Sequence, residues 1–301
     1  MLRGGSSNME FTTTSLRAEM EAAGYICEGS LVLSVFIALN LEKPLLVTGA
    51  PGVGKTELAK ILADVFDTEL IRLQCYEGLD EQKALYEWNY QKQLLQIQIS
   101  KDDYDNVDRA GLFTEDFLLA RPLLQAIRRD KKVVLLIDEI DKTDEEFEAF
   151  LFELLSDFQV SIPELGTIKA LHKPIVVLTS NAERELSDGL KRRCIFLHID
   201  FPTIEKELNI IKSKVPGISD KLALQVANIV HLIREQFDAK KLPSISETLD
   251  WANTLQLLNQ KEITEETLEV TLNILFKDQE DINNFKEKMV PKKLLQEACS
   301  K

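Results

Sequence analysis

Residues 49–56 read GAPGVGKT, and no other stretch narrows the possible folds as far. The octapeptide fits G-x-x-x-x-G-K-[ST], the pattern of a phosphate-binding loop. Gly49, Ala50, Pro51, Gly52, Val53 and Gly54 form the loop. Its glycines let the backbone curl so that N–H groups face an anion. The following helix, opening with Lys55, Thr56 and Glu57, points its positive end at the same place. Lys55 supplies a point charge to the β- and γ-phosphates, and the Thr56 hydroxyl can ligate Mg²⁺. Glu57, in the first helical turn, is counted with the nucleotide-binding residues. Pro44, Leu45, Leu46, Val47 and Thr48 before the loop read as a buried strand. That setting, strand then loop then helix, is the context such a loop requires.

The same alternation continues. Strands are expected at 70–75, 133–137, 175–179 and 195–199, with helices at 12–40 (broken near Gly24 and Gly29), 113–129 and 143–157. Thr143 with Glu146 suggests a capping box, and Phe147, Phe150, Leu151, Leu154 and Leu155 make one apolar face. Strands alternating with helices imply a parallel sheet covered on both sides. Residues 159–170, with Pro163 and Gly166, suggest a short hairpin. Residues 80–98 form a polar, aromatic insertion with Tyr86, Trp88 and Tyr90. These aromatic residues could touch a client, or Trp88 could simply anchor the insertion on the core. After Phe201-Pro202 the pattern turns wholly helical, at 205–215, 220–237, 247–258, 265–276 and 282–289. Leu222, Val226, Ile229, Val230, Ile233 and Phe237 form one stripe. The expected division is therefore 1–43, an N-terminal segment with helices; 44–202, the α/β core with an insertion near 78–100 and a hairpin near 159–170; and 203–301, a small helical lid. Residues 1–8 are Gly/Ser-rich, lack an apolar signal core and are expected to be disordered.

Bulk composition excludes some classes. Of the 301 residues, 36 are basic and 50 acidic, a net charge of −14, which disfavours non-specific contact with nucleic acid or anionic membrane. The apolar run at 31–41 is too short to span a bilayer. Cys27, Cys75, Cys194 and Cys299 are widely spaced, which points to a reducing, cytoplasmic setting. His172, His198 and His231 show no metal-ligand spacing.

Three further segments can complete the chemistry. Val133 to Ile137 lead into Asp138 and Glu139, acids at a strand's carboxyl end, where open α/β sheets place ligands. Asp138 can hold Mg²⁺ through water, and Glu139 can orient the water that attacks the γ-phosphate. A solvated acidic turn is the alternative, since Asp141, Asp144, Glu145 and Glu146 follow. Asn181 ends the strand at 175–179 and either positions that water or merely forms a turn. Arg192 and Arg193 either make a basic surface spot or stabilise phosphoryl charge in a neighbouring subunit's site.

These elements, in this order, resemble the AAA+ ATPases across nearly the whole chain. Within them the chain is similar to the MoxR group, most closely its branch associated with carbon monoxide dehydrogenase and molybdenum hydroxylase operons. The specific strings are Gly78-Leu79-Asp80 with Ala84-Leu85-Tyr86-Glu87-Trp88-Asn89-Tyr90 and Gln93-Leu94-Leu95, then Leu186-Ser187-Asp188-Gly189-Leu190-Lys191-Arg192-Arg193-Cys194, and Glu247-Thr248-Leu249-Asp250-Trp251-Ala252. The resemblance implies a hexameric ring binding ATP and Mg²⁺ between subunits. By it, Asn181 takes the sensor-1 role and Arg193 the arginine-finger role, with Arg192 as second choice. It also implies a chaperone-like remodeller, without membrane insertion, that works with a von Willebrand factor A domain partner on a client complex, as in metalloenzyme maturation. The stretch from Pro243 to Thr248 lacks the arginine that many AAA+ proteins carry at the start of a lid helix. That departure leaves open an ATP-dependent assembly switch with little turnover. A DNA-handling ATPase is the third reading, and the acidic charge speaks against it.

Overall fold

The computed structural model describes residues 11–99, 112–289 and 291–300, so the expected disorder at 1–8 lies outside the described residues. The elements run α1 (Thr13–Ala22), α2 (Gly29–Asn40), β1 (Leu45–Thr48), α3 (Lys55–Val65), β2 (Leu70–Gln74), α4 (Glu81–Ala84), β3 (Tyr86–Trp88) and α5 (Tyr90–Ile99). They continue with β4 (Leu118–Ala120), α6 (Pro122–Arg128), β5 (Val134–Asp138), α7 (Glu145–Asp157), β6 (Gln159–Ile162), β7 (Gly166–Lys169), β8 (Ile175–Ser180), α8 (Asp188–Arg193) and β9 (Ile195–His198). Among the described residues only helices follow: α9 (Ile204–Lys214), α10 (Asp220–Gln236), α11 (Ile245–Leu257), α12 (Glu265–Leu275), α13 (Gln279–Lys288) and α14 (Pro291–Ser300).

Five strands form one parallel sheet in the order β2-β5-β8-β1-β9. The parallel arrangement follows from composition. β1 and β5 are buried at every position, so both faces of these strands must be covered. α3 supplies cover with Leu58, Ala59, Ile61 and Leu62, and α6 with Leu123, Leu124, Ala126 and Ile127. Two antiparallel pairs stand apart from this sheet: β3 with β4, and β6 with β7 as the expected hairpin.

The structure corrects two local expectations. Residues 113–121 do not extend a helix. Leu118–Ala120 pairs as β4 with Tyr86–Trp88, and helix α6 starts only at Pro122, whose fixed φ suits a first helical position. The cap of α7 is Asp144 rather than Thr143: its side chain accepts from Phe147 N, while the Thr143 hydroxyl donates to Ile140 O at 2.8 Å. The helical stretch does break where expected, between α1 and α2, with Gly24 just past the end of α1 and Gly29 opening α2. Helix α14, beyond residue 289, has no counterpart among the helices expected from periodicity.

The chain divides into two compact units. The first joins residues up to Thr48 with Lys55–His198 and holds the sheet. Its core includes Trp88, buried against the Phe113 ring at 5.2 Å, so this aromatic residue anchors the insertion. Tyr90 is exposed. The second unit joins Gly49–Gly54 with residues from Ile199 onward, and Trp251, Phe237, Phe276 and Phe285 fill its helical core. Inside it, Arg234 meets Glu207 with two parallel hydrogen bonds, 2.7 and 2.9 Å, both groups being buried. Thr248 donates to the same carboxylate, Pro243 O accepts from Arg234 Nε, and the guanidinium lies over the Phe201 ring.

Candidate nucleotide site at the carboxyl ends of the sheet

The loop between β1 and α3 has the backbone its glycines allow. Gly49, Gly52 and Gly54 have φ of 148°, 75° and 97°, values side-chain-bearing residues rarely adopt. Space is short as well. A Cβ on Gly49 would lie 2.2 Å from Ile199 O, and one on Gly52 would lie 2.1 Å from Ser244 Oγ.

Beyond the loop, chemistry gathers at the carboxyl ends of β5 and β8, as it does in open α/β sheets. Lys55, at the start of α3, donates from Nζ to Asn181 Oδ1 at 2.7 Å. Burial lowers its pKa below the usual lysine value, and the facing Asp141, Asp138 and Glu139 carboxylates oppose that shift. The Thr56 hydroxyl donates to Asp138 Oδ1 at 3.0 Å. Asp138 is 3% exposed and sits at the last position of β5. The adjacent Glu139 holds a left-handed backbone, φ 59° and ψ 51°, which strains a residue with a side chain and is typical of functional sites. Its carboxylate receives Gln74 Nε2 at 2.8 Å and Asn181 Nδ2 at 3.5 Å.

Four residues missed from the sequence belong to this network. Thr179 donates to Asp138 Oδ1 at 2.5 Å and accepts from Glu139 N at 2.9 Å, fixing both acids. Asp141 Oδ2 accepts from the backbone N–H of Asn181 and Glu183, at 3.1 and 3.0 Å, which sets where Asn181 stands. Its Oδ1 is buried and has no hydrogen-bond partner among the described residues. Arg72 and Gln74, alternate residues of the edge strand β2, reach Asp138 and Glu139 respectively. A signal for them existed in the alternation of polar Arg72 and Gln74 with buried Ile71 and Leu73.

The two arginines stand elsewhere. Arg193 donates to Ser156 Oγ and Gly189 O and stacks over the Phe152 ring at 4.2 Å; Arg192 is exposed. Among the described residues no hydrogen bond ties either to the Lys55–Asp138–Asn181 cluster. Glu57 lies in the first turn of α3 and pairs with Lys60 at 3.2 Å.

The donors suit a Mg²⁺–phosphate pair better than a free-standing metal. Thr56 and Asp138 offer only oxygen, and among the described residues no group of three or more His, Cys, Asp or Glu could hold a metal alone. Magnesium is commonly held by one or two such oxygens together with substrate phosphates.

A glycine loop at the end of one parallel strand, with paired acids at the end of another, defines a P-loop nucleotide-hydrolysing class. A profile of the AAA domain, dynein-related subfamily, matches residues 44–194, and the chain belongs to this family of AAA+ ATPases. It is 29% identical over 200 residues to the chaperone protein ClpB of Mycoplasma genitalium, covering 59% of this chain and 25% of that one. With the Bacillus cereus ClpB the identity is 29% over 147 residues, covering 48% and 14%. The chain thus spans a quarter or less of the length of these relatives. In fold it resembles the Thermotoga maritima RuvB Holliday junction branch migration motor, with TM-score 0.50, 20% identity, and coverage of 89% of this chain and 73% of that one. Among the described residues no helix is long and apolar enough to cross a membrane.

Proposed function

We propose that the chain is a Mg²⁺-dependent ATPase of MoxR type that couples the nucleotide cycle to remodelling or maturation of a client protein complex. What supports the catalytic part is one juxtaposition: Lys55 Nζ on Asn181 Oδ1 at 2.7 Å, beside Thr56 on Asp138 at 3.0 Å. Three segments far apart in sequence deliver a cation, an amide, a hydroxyl and an acid to one place. In this reading the N–H groups of residues 49–56 and the Lys55 ammonium bind the phosphates. A magnesium ion would be held by Thr56 and Asp138, and when bound it draws charge from the transferring phosphoryl group. Asn181 orients the attacking water, and Glu139 takes its proton. Arg193, or in second place Arg192, would reach the site of an adjacent subunit in a homo-hexameric ring. The ClpB likeness supports a remodelling role, and the net charge of −14 weighs against DNA as the substrate. A von Willebrand factor A domain partner, a cytoplasmic location and a metalloenzyme client belong to the same reading.

Steady-state ATP turnover per subunit, measured across a wide protein concentration range with Glu139→Gln as blank, tests it. Specific activity should rise steeply with concentration and fall about a hundredfold or more in Glu139→Gln. Equal turnover in that variant would remove Glu139 from the reaction. Flat activity would remove the arginines from the site.

A second reading, an ATP-dependent assembly switch with little turnover, has one observation in its favour. Gln74 and Asn181 already occupy both oxygens of the Glu139 carboxylate. Gln74→Ala should then raise basal turnover severalfold; no change would leave the switch without support.

A further inference from the structure

We infer that Arg72 is a built-in competitor for the divalent cation, holding Asp138 as an ion pair that magnesium must break. The inference rests on the nucleotide site proposed above and concerns a residue that the reaction itself does not need.

The geometry is specific. Asp138 is almost fully buried, and each oxygen of its carboxylate already has two close donors. Oδ1 accepts from Thr56 Oγ1 at 3.0 Å and Thr179 Oγ1 at 2.5 Å. Oδ2 accepts from Arg72 Nε at 3.0 Å and Arg72 Nη2 at 2.5 Å. A carboxylate has about four lone-pair sites, so this one is saturated. A cation, or water carried on it, needs one of these positions and must displace a donor.

The donors differ in how firmly they are held. Thr179 is 1% exposed, and its hydroxyl also accepts from Glu139 N, so moving it would disturb both acids. Thr56 is a ligand candidate and moves with the cation. Arg72 comes from the edge strand β2, and its side chain is 51% exposed. It has a second acceptor ready in Gln74 Oε1, which Nη2 already reaches. Release of Arg72 therefore leaves no buried group unpaired and returns a guanidinium to water.

Electrostatics adds to the competition. A guanidinium within hydrogen-bond distance of Asp138 also repels a divalent ion approaching the same carboxylate. Removing the charge should favour the cation twice, by freeing Oδ2 and by relieving repulsion. A half-exposed pair is worth a modest amount, so the expected effect is about twofold to fivefold.

The test is binding of a fluorescent β,γ-imido analogue of ATP, read without hydrolysis at set free Mg²⁺ and in EDTA. In Arg72→Gln the Mg²⁺ concentration for half-maximal tightening should fall about twofold to fivefold, and the gain in affinity over EDTA should widen equally. Arg72→Lys keeps the charge and loses the two-bond grip, so its midpoint should fall between. An unchanged or raised midpoint in Arg72→Gln, with wild-type nucleotide binding intact, overturns the inference alone. Should Arg72→Gln fail to fold, Arg72→Lys decides, and a wild-type midpoint there overturns it. A wild-type chain that binds no analogue at any Mg²⁺ concentration overturns the site reading and the inference together.

Discussion

Asp141 Oδ1 is a buried carboxylate oxygen without a hydrogen-bond partner among the described residues, while the other oxygen of the same group holds two backbone N–H groups. Asp141→Ala would orphan both N–H groups and should destabilise the chain by about 2 kcal/mol or more, read by urea denaturation. Asp141→Asn keeps an acceptor and should cost less, but it removes the first of the charges that sustain protonated Lys55. The lysine pKa, already lowered by burial, would fall further. Nucleotide affinity that depends on the ammonium should then be lost at lower pH than in wild type, as Kd measured from pH 7 to 10 would show. Burial likewise pushes the Cys75 and Cys194 thiols up to about 12, so both should resist alkylation at pH 8 while the less buried Cys27 reacts, as peptide mass mapping would reveal. Legibility at this scale is uneven. Lys55, Thr56, Asp138 and Asn181 carry patterns short enough to read, and they do meet. Thr179, Arg72 and Gln74 act across neighbouring strands and Asp141 across the turns that follow two of them, and a sequence holds no record of register.

Helix ends carry the clearest energetic statements about elements. Asp144 caps α7, so Asp144→Ala should cost about 1 kcal/mol. The expectation of a cap at Thr143 is off by one residue, because Thr143 spends its hydroxyl on Ile140 O in the turn before. Ser244 and Glu247 form a full capping box at the start of α11. Burial raises the Glu247 pKa, but hydrogen bonds from the Ser244 hydroxyl and backbone outweigh it and leave the group below its ordinary 4.5. A carboxylate with a depressed folded pKa stabilises fully above its unfolded value and loses that contribution as pH falls through the folded one. Glu247→Ala should therefore destabilise by about 1 kcal/mol at neutral pH and by progressively less below pH 4.5, as thermal melts against pH would register. The stretch at 113–121 departs from its local pattern for a physical reason. Leu118, Leu119 and Ala120 have good helix propensity, and only their long-range pairing with Tyr86–Trp88 makes them a strand.

At the scale of the whole molecule, the α/β core and the helical region are legible because buried strands and amphipathic helices differ in period. Strand order is not, since nothing local says that β1 lies between β8 and β9. The Arg234–Glu207 pair is equally hidden, its members 27 residues apart and both buried. Breaking one partner leaves an uncompensated charge, so Arg234→Met or Glu207→Gln should cost about 3–5 kcal/mol. Because the pair lies within the helical unit, denaturation monitored at Trp251 should shift to lower urea than that monitored at Trp88. Coincident shifts at both residues would mean that the two units unfold as one.

The left-handed backbone at Glu139 places two selective pressures in conflict. Glycine suits that conformation better, so Glu139→Gly should relieve about 1 kcal/mol of strain, offset in part because Gln74 and Asn181 then have no carboxylate to donate to. A laboratory population of this chain enriched only for heat resistance should therefore accumulate that change and, on the role proposed for Glu139, lose turnover. One enriched for turnover should retain the carboxylate and compensate for its thermal cost elsewhere.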